Sequence, residues 1–81
     1  MFHVLILNSQ PKGRDGVLFE GQSSTVSLPG KDGEFEILDF HKPIISVLKK
    51  GLILVDNEKE FYIKGGVAKM NLQSLVAVVD L

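Results

Sequence analysis

The stretch that organises this sequence is SLPGKDGEFEILDFHKP, residues 27–43. Proline fixes φ and glycine permits positive φ, so Pro29-Gly30 predicts that the chain leaves a strand and turns there. For the same reason, residues 39–43 predict a second corner. Between the two corners lie a charged tip, Lys31-Asp32-Gly33-Glu34, and then an extended segment, residues 35–38.

The extended segment alternates between apolar and acidic side chains. Neighbouring side chains on a strand point to opposite faces, so Phe35 and Ile37 are expected to point inward while Glu34 and Glu36 face water. General acid–base catalysis needs a carboxylate inside a cleft, whereas a tip rich in glycine and charge is solvated. The stretch therefore predicts an acidic loop that suits docking better than catalysis. The alternative is that its charges serve only solubility.

The rest of the sequence reads as short strands separated by turn residues. Gly21-Gln22 predicts a turn, Asp56-Asn57-Glu58-Lys59 predicts a hairpin, and Gly65-Gly66 predicts a bulge or a close approach of two backbones. The first run is apolar on both faces, so we expect it to be a central strand. The strands are predicted over residues 2–7, 17–20, 24–28, 35–38, 44–48, 52–55, 60–64, 67–70 and 74–79.

These strands predict the fold class, because no amphipathic helical period runs for even three turns. Many short strands with frequent turn signals are typical of a sandwich. We therefore expect an all-β fold, a two-sheet β-sandwich (flattened barrel) of about 8–10 short strands. The chain is expected to form a single domain over residues 1–81.

Composition narrows the classes of partner. The chain has 81 residues, a formal net charge of −1 and no cysteine, so neither a nucleic-acid partner nor a disulfide framework is expected. Its apolar runs are far shorter than the roughly 20 residues of a spanning helix, so we expect a soluble protein without direct membrane insertion. The hydrophobic fraction of 44% has two explanations: apolar surface that a partner covers, or strands buried on both faces.

Residues that could carry chemistry are few. A zinc site needs three or four ligands at recognisable spacing, and the sequence offers His3 and His41 without cysteine. The serines lack a histidine–aspartate framework, and no Gly-Lys-Ser/Thr follows Gly65-Gly66 as it would in a phosphate loop. We therefore expect no catalysis, cofactor, metal or small-molecule ligand.

Several short motifs occur in a characteristic order: Leu18-Phe19-Glu20-Gly21, Val26-Ser27-Leu28-Pro29-Gly30, Gly33-Glu34-Phe35, His41-Lys42-Pro43, Leu48-Lys49-Lys50-Gly51 and Gly65-Gly66. In this order and approximate spacing, essentially the whole sequence resembles the N-terminal domain of the epsilon subunit of rotary F-type ATP synthases. Each motif alone is weak, but the ordered set is specific. The sequence departs from the family at Glu36, where glycine is common, and at Asp39-Phe40, where Pro-Gly is common.

The resemblance implies a non-catalytic β-sandwich in the central stalk of the rotor. It would clamp the foot of the gamma subunit, rest on the polar loops of the c-ring and couple proton flow to ATP synthesis. It would be peripheral, on the cytoplasmic face of the bacterial inner membrane or on the matrix or stromal side in an organelle. The residues expected to meet the c-ring are Lys31, Asp32, Glu34 and Phe35. Those expected to meet gamma are His41, Ile44, Ile45 and Val47, and the first strand is expected to add apolar contact to gamma.

In most members of that family, a C-terminal helical hairpin follows the sandwich. That hairpin carries the inhibitory extension and any ATP-binding motif. This sequence ends at Asp80-Leu81, and because no tag is visible, we expect a naturally short form that lacks this regulation.

Two other kinds of small β-sandwich are alternatives. A biotinyl or lipoyl carrier presents a lysine at a hairpin tip, and Lys59 is the candidate, although the Met-Lys-Met or Asp-Lys-Ala setting of those carriers is missing. A sandwich that binds sugars or other small ligands needs an aromatic cluster on one face. For that cluster the sequence offers a widely spaced set, Phe35, Phe40, Phe61 and Tyr62.

Overall fold

The computed structural model describes residues 1–10, 16–39 and 42–81. Within these ranges the chain forms strands joined by turns, and it contains no helix long and apolar enough to cross a membrane. The strands are β1 (Phe2–Asn8), β2 (Val17–Ser23), β3 (Thr25–Gly30), β4 (Gly33–Leu38), β5 (Ile44–Leu48), β6 (Gly51–Val55), β7 (Lys59–Ile63), β8 (Gly65–Met70) and β9 (Ser74–Asp80). The all-β prediction is confirmed.

The strands follow one hydrogen-bonded path that folds back on itself to give two halves. One half, the first sheet, has the strand order β2-β1-β9-β8-β5, and the other, the second sheet, has the order β4-β3-β6-β7. Paired strands are antiparallel except β1 and β9, which are parallel. Because β1 lies between β2 and β9, the predicted central position of the first strand is confirmed.

β3 joins the two sheets. Near its start, Val26 pairs with Val55 of β6 in the second sheet, whereas Gly30 at its end pairs with Leu48 of β5 in the first sheet. β4 runs along the opposite edge of β3 for the whole length of the strand. A strand that changes partners in this way forms a corner of a sandwich, so the two sheets share one continuous backbone.

Pro29 and Gly30 lie inside this corner and not in a turn, so the predicted turn at these two residues is wrong. Both are buried strand residues. Proline has no N–H to donate, but the Pro29 carbonyl accepts a hydrogen bond of 2.8 Å from the Lys49 N–H. A Cβ on Gly30 would lie 2.7 Å from the Gly33 carbonyl oxygen, so glycine serves close packing here. The chain turns one step later, at Lys31-Asp32.

The inner faces of the two sheets enclose one apolar core. Its members alternate with outward-pointing residues along the strands. Full burial of a side chain such as Leu28 or Ile53 contributes roughly 1.5–3 kcal/mol. The buried set is Phe2, Val4, Ile6, Val26, Leu28, Ile37, Leu48, Ile53, Val55, Ile63, Ala68, Met70, Leu75, Ala77 and Val79.

The hairpin predicted at Asp56-Asn57-Glu58-Lys59 is confirmed. β6 and β7 pair around a turn in which Asp56 and Asn57 have φ of 55° and 56°, as a type I′ hairpin turn requires. β8 and β9 also pair. A Cβ on Gly66 would lie 2.4 Å from the Val78 carbonyl oxygen, so the predicted close approach of two backbones at Gly65-Gly66 is confirmed.

The other two predicted turns have different outcomes. The prediction of a turn at Gly21-Gln22 is wrong, because Gly21 pairs with Val4, Gln22 pairs with His3, and β2 continues to Ser23. The corner predicted over residues 39–43 lies partly outside the described residues, since Phe40 and His41 are not among them. At its start, the Asp39 carboxylate lies 2.5 Å from the amino group of Met1.

The two ends of the hydrogen-bonded path meet through aromatic side chains. The rings of Phe19 on β2 and Phe61 on β7 are 6.2 Å apart between centroids and make an edge-to-face contact. The Lys59 ammonium lies 5.5 Å from the centroid of the Phe19 ring, which is a favourable cation–π distance. These contacts bring the outer strands of the two sheets together, and the predicted two-sheet sandwich is confirmed.

Candidate docking surfaces

The outer face of the first sheet carries an unbroken row of aliphatic side chains across all five of its strands. The strand register places the members of this row directly opposite one another, in the order Val17, Leu7, Val78, Val67 and Val47. Val47 is 55% exposed, and Val17, Val67 and Val78 are also exposed. Cross-strand neighbours on one face lie about 4.5–5.5 Å apart, so the row is a continuous surface.

A second row lies beside the first. Here the register aligns Glu20, Leu5, Val76, Lys69 and Ile45. Ile45 is 72% exposed, and Leu5 and Val76 are half-buried. We call the eight aliphatic residues of the two rows the apolar face: Val17, Leu7, Val78, Val67, Val47, Leu5, Val76 and Ile45.

The apolar face has the composition of a buried surface. Strands that are apolar on both sides are typical of sheets covered on both sides, whereas an antiparallel sheet open to water usually alternates apolar and polar residues. Contiguous apolar patches on a protein surface mark interaction sites. The hydrophobic fraction has two sources in the structure. One is the buried core, and the other is the exposed aliphatic surface of the apolar face.

A second candidate surface is the tip of the β3–β4 hairpin. Lys31, Asp32 and Glu34 are exposed there, as the sequence predicts. The Lys31 N–H donates a hydrogen bond of 2.8 Å to the Val47 carbonyl of β5. This bond fixes the tip against the edge of the first sheet, so the tip adjoins the apolar face.

Phe35 has a different place from the exposed tip residues. It packs partly buried against the core. Its ring also lies against Gly30, where an added Cβ would come within 2.8 Å of it. Phe35 therefore supports the hairpin from inside and has little surface to offer a partner.

The residues predicted to meet gamma separate into two groups. Ile45 and Val47 lie on the apolar face, whereas Ile44 points inward and packs against the core. Successive side chains on a strand point to opposite faces, so Ile44 and Leu48 face the core while Ile45 and Val47 face outward. His41 lies outside the described residues.

Half of the apolar face was not predicted as a site. Sequence reasoning named residues on β5 and β1 but missed Val67 and Val78, which lie at the centre of the row. The available signal was that β8 and β9 remain aliphatic at outward positions, which are usually polar when a sheet faces water.

The outer face of the second sheet is different in chemistry. One row across it aligns Glu36, Ser27, Leu54 and Glu60. Glu34 lies two residues before Glu36 on the same side of β4. We call this surface the acidic face. As predicted, Glu34 and Glu36 are exposed while Ile37 is buried.

Neither surface has the geometry of a catalytic or metal site. Over residues 1–10, 16–39 and 42–81, no group of three or more His, Asp or Glu side chains is placed to hold a metal ion. The His3 imidazole Nε2 lies 3.4 Å from a Glu20 carboxylate oxygen, where it can make an ion pair when protonated. What both surfaces offer is shape, apolar area and charge.

The carrier and ligand-binding alternatives find no support. Lys59 is not at a hairpin tip but begins β7, and its ammonium lies against Phe19. Phe61 and Tyr62 are consecutive on β7 and therefore point to opposite faces. Phe61 contacts the core and Tyr62 is 73% exposed, so these two rings do not form a cluster on one face.

Comparison with known proteins gives a family and close relatives. The family model described as "ATP synthase, Delta/Epsilon chain, beta-sandwich domain" matches residues 13–80. A relative named ATP synthase epsilon chain, from Parvibaculum lavamentivorans, is 31% identical over 78 residues, which cover 91% of this chain and 59% of the relative. Another of that name, from Sulfurimonas denitrificans, is 30% identical over 70 residues, which cover 82% and 54%. The chain thus spans only about half to three-fifths of the length of these relatives.

Solved structures share the fold. A chain in the cryo-EM structure of the Euglena gracilis mitochondrial ATP synthase, OSCP/F1/c-ring, matches with a TM-score of 0.73 and 16% identity, over 98% of this chain and 51% of that chain. A chain in the Tetrahymena thermophila mitochondrial ATP synthase central stalk/c-ring structure matches with a TM-score of 0.67, also at 16% identity, over 96% of this chain and 63% of that chain. The family model covers most of the sequence and the strands form the two-sheet sandwich that it describes, so the chain belongs to the family of ATP synthase delta/epsilon chain β-sandwich domains.

Proposed function

We propose that this chain is a non-catalytic rotor module of an F-type ATP synthase and couples rotation by holding two partners at once. The apolar face binds the gamma subunit, and the tip of the β3–β4 hairpin binds the polar loops of the c-ring. The observation that carries the proposal is the aliphatic row across five strands, because such a surface is suited to a permanent partner and poorly suited to water. Membership of the delta/epsilon family supports this choice of partners.

The arrangement of the two surfaces suits a stalk. The Lys31 N–H is bonded to Val47 of the apolar face, so the hairpin tip and the apolar face meet along β5. A protein placed on the apolar face and a second one at the tip would therefore touch adjacent parts of one rigid body. Close-packed interiors deform little under load, so the sandwich can pass torque between them.

The hairpin tip supplies charge for the second contact. Asp32 and Glu34 are exposed acids on a turn whose base is fixed by the core contacts of Phe35. Arginine side chains on c-ring loops would make charge-assisted hydrogen bonds to these carboxylates. Exposed charges of this kind govern register and association rate more than affinity. In this arrangement the module is peripheral, on the cytoplasmic face of a bacterial inner membrane or on the matrix or stromal side in an organelle.

The direct test is binding of the purified chain, carrying a fluorescent label, to the gamma subunit of the same organism. We expect association at micromolar concentration or below. The structure offers a matched pair of variants, because Ile45 on the apolar face and Tyr62 on the outer side of the second sheet are 72% and 73% exposed.

Ile45→Asp should weaken binding to gamma by at least roughly tenfold, because it places a carboxylate in an apolar contact. Tyr62→Asp should leave the affinity for gamma within about twofold of wild type, because surface changes away from an interface have small effects. Absence of binding by the wild-type chain at micromolar concentration, or equal loss in both variants, would contradict the proposal.

A further inference from the structure

Lys69 interrupts the apolar face. The residues directly opposite Lys69 on the two neighbouring strands are Ile45 of β5 and Val76 of β9. On its own strand the preceding outward residue is Val67. Three aliphatic side chains therefore lie on three sides of one exposed ammonium-bearing side chain, and the exposed Asn71 follows on the fourth side. Among the described residues Lys69 has no hydrogen bond or ion pair.

The nearest acid in the same row is too far away to neutralise Lys69. Glu20 lies three strands away across the first sheet, on β2. At about 4.8 Å per strand, the backbones of the two residues are separated by roughly 14 Å. Glu20 also has a partner on its own side, His3, at 3.4 Å. Among the described residues, Lys69 is thus an unpaired charge at the border of a surface that otherwise favours an apolar partner.

A partner that covers the apolar face must also deal with this charge. An ammonium removed from water without an opposite charge is strongly unfavourable, whereas one that meets a carboxylate in an apolar setting makes a strong, orienting contact. We infer that the gamma surface covering the apolar face carries an Asp or Glu carboxylate opposite Lys69, and that this pair selects the partner and fixes its orientation. This inference rests on the proposed function and names the chemistry of that same contact.

The charges of the second row make its two ends different. The acid Glu20 lies at one end and the base Lys69 near the other, with Leu5 and Val76 between them. A partner turned by 180° in the plane of the sheet would bring its acid towards Glu20 and leave Lys69 covered by apolar groups. Like charges brought together at an interface suppress wrong arrangements. One lysine at the border of the apolar face, flanked by Ile45 and Val76, can therefore set the register of the contact.

The first experiment measures Kd for gamma with three variants at Lys69 and one control. Lys69→Met keeps the length of the side chain but removes the charge, and it should raise Kd roughly 30-fold or more because the partner carboxylate is left unpaired. Lys69→Glu should raise it further, whereas Lys69→Arg should stay within about threefold. Lys50→Met removes an exposed lysine outside the apolar face and should leave Kd unchanged. Thermal unfolding of each variant checks that the exposed substitution leaves the fold intact.

The second experiment identifies the carboxylate directly. A carbodiimide joins an amine to a carboxylate only when the two are in contact, so treatment of the wild-type complex should link Lys69 to one Asp or Glu of gamma, to be located by mass spectrometry. Exchange of that gamma residue to Lys should restore binding to Lys69→Glu.

The outcomes separate the inference from the proposed function. If the wild-type chain does not bind gamma, the proposed function fails and the inference with it. If the wild-type chain binds but Lys69→Met binds equally well or more tightly, the lysine only extends its head into water along the rim, and the inference alone is wrong. A complex in which other lysines are linked to gamma but Lys69 is not leads to the same conclusion.

Discussion

The two outer faces of this sandwich cover the same core but differ in the chemistry of their central rows. Across the first sheet, one row reads Val17, Leu7, Val78, Val67 and Val47, whereas the corresponding row across the second sheet reads Glu36, Ser27, Leu54 and Glu60. The buried inner residues of both sheets are apolar apart from Ser23 on β2. The fold therefore uses only one side of each strand, and the other side is available for function.

The difference lies in the outward residues of the strands, because the inward residues of both sheets build the same core. Polar residues on the acidic face keep one side of the molecule in water at no cost to the core. The apolar face leaves aliphatic area exposed to water, and contiguous apolar area of this kind marks interaction sites. The inward residues therefore build the core, and under the proposed function the outward residues of the first sheet bind the partner.

The largest expected effect comes from a change that removes both faces at once. Val26 is fully buried near the start of β3, where it pairs with Val55 of β6 in the second sheet. Val26→Asp places an unpaired carboxylate in the core at a cost of several kcal/mol, comparable to the whole stability of so small a domain. We expect the chain to be unfolded at 25 °C, as measured by far-UV circular dichroism.

The neighbouring residue provides the control. Ser27 points outward on the acidic face, so Ser27→Asp should leave the dichroism spectrum and the cooperative thermal transition in place. A folded Val26→Asp protein, or an unfolded Ser27→Asp protein, would mean that the inner and outer sides of β3 have been assigned the wrong way round.

A smaller effect is expected where the apolar face depends on a close approach of two strands. A Cβ on Gly66 would lie 2.4 Å from the Val78 carbonyl oxygen, and its φ of 155° is rarely adopted by other residues. Gly66→Ala should therefore lower the free energy of unfolding by about 3 kcal/mol, from overlap and backbone strain together. Urea denaturation gives the value.

Gly33, at the hairpin tip, separates the two causes. Its φ is 137°, but no atom lies within 4 Å of the position of an added Cβ. Gly33→Ala should lose only about 1 kcal/mol, from backbone strain alone. Equal losses of unfolding free energy at both positions would contradict this explanation. They would show that a methyl group at position 66 does not overlap the Val78 carbonyl and that β8 and β9 are farther apart there.

The smallest expected effect concerns the hairpin tip. Glu34→Lys reverses an exposed charge, so it should leave the melting temperature within about 2 °C of wild type. It should slow association of the chain–gamma complex with isolated c-ring by several-fold at low salt, and the difference should shrink as salt is raised. Surface plasmon resonance against immobilised c-ring measures the rates.

Glu60 offers the matched control, since it is an exposed acid of the same sheet placed away from the tip. Glu60→Lys changes the net charge by the same amount and should alter the association rate less. Should both variants slow association equally, the acids of the second sheet would act through overall charge and the docking role of the tip would be wrong.

Sequence reasoning succeeded where local alternation is unambiguous. In the segment from Glu34 to Ile37, acidic and apolar residues alternate, so the inward side follows from the covalent geometry of a strand, and the structure agrees. It failed at Pro29-Gly30, because these residue types are typical of turns, whereas packing against β5 makes them a buried corner. At Ile44 and Ile45, sequence reasoning assigned both residues to the surface that meets gamma, whereas only Ile45 points outward. Both neighbours are apolar, so alternation of apolar and polar residues could not show which one faces the core.

The linear order of residues was enough to establish the strands, the sandwich class and the exposed acids, because each depends on interactions among residues close together in the chain. The apolar face depends on which distant strands become neighbours. Leu7 and Val78, for example, lie at opposite ends of the sequence but side by side in the parallel pair of β1 and β9. Strand pairing is decided by the packing that buries the most apolar surface over the whole chain, so only the folded structure brings these side chains into one apolar face with Lys69 at its border.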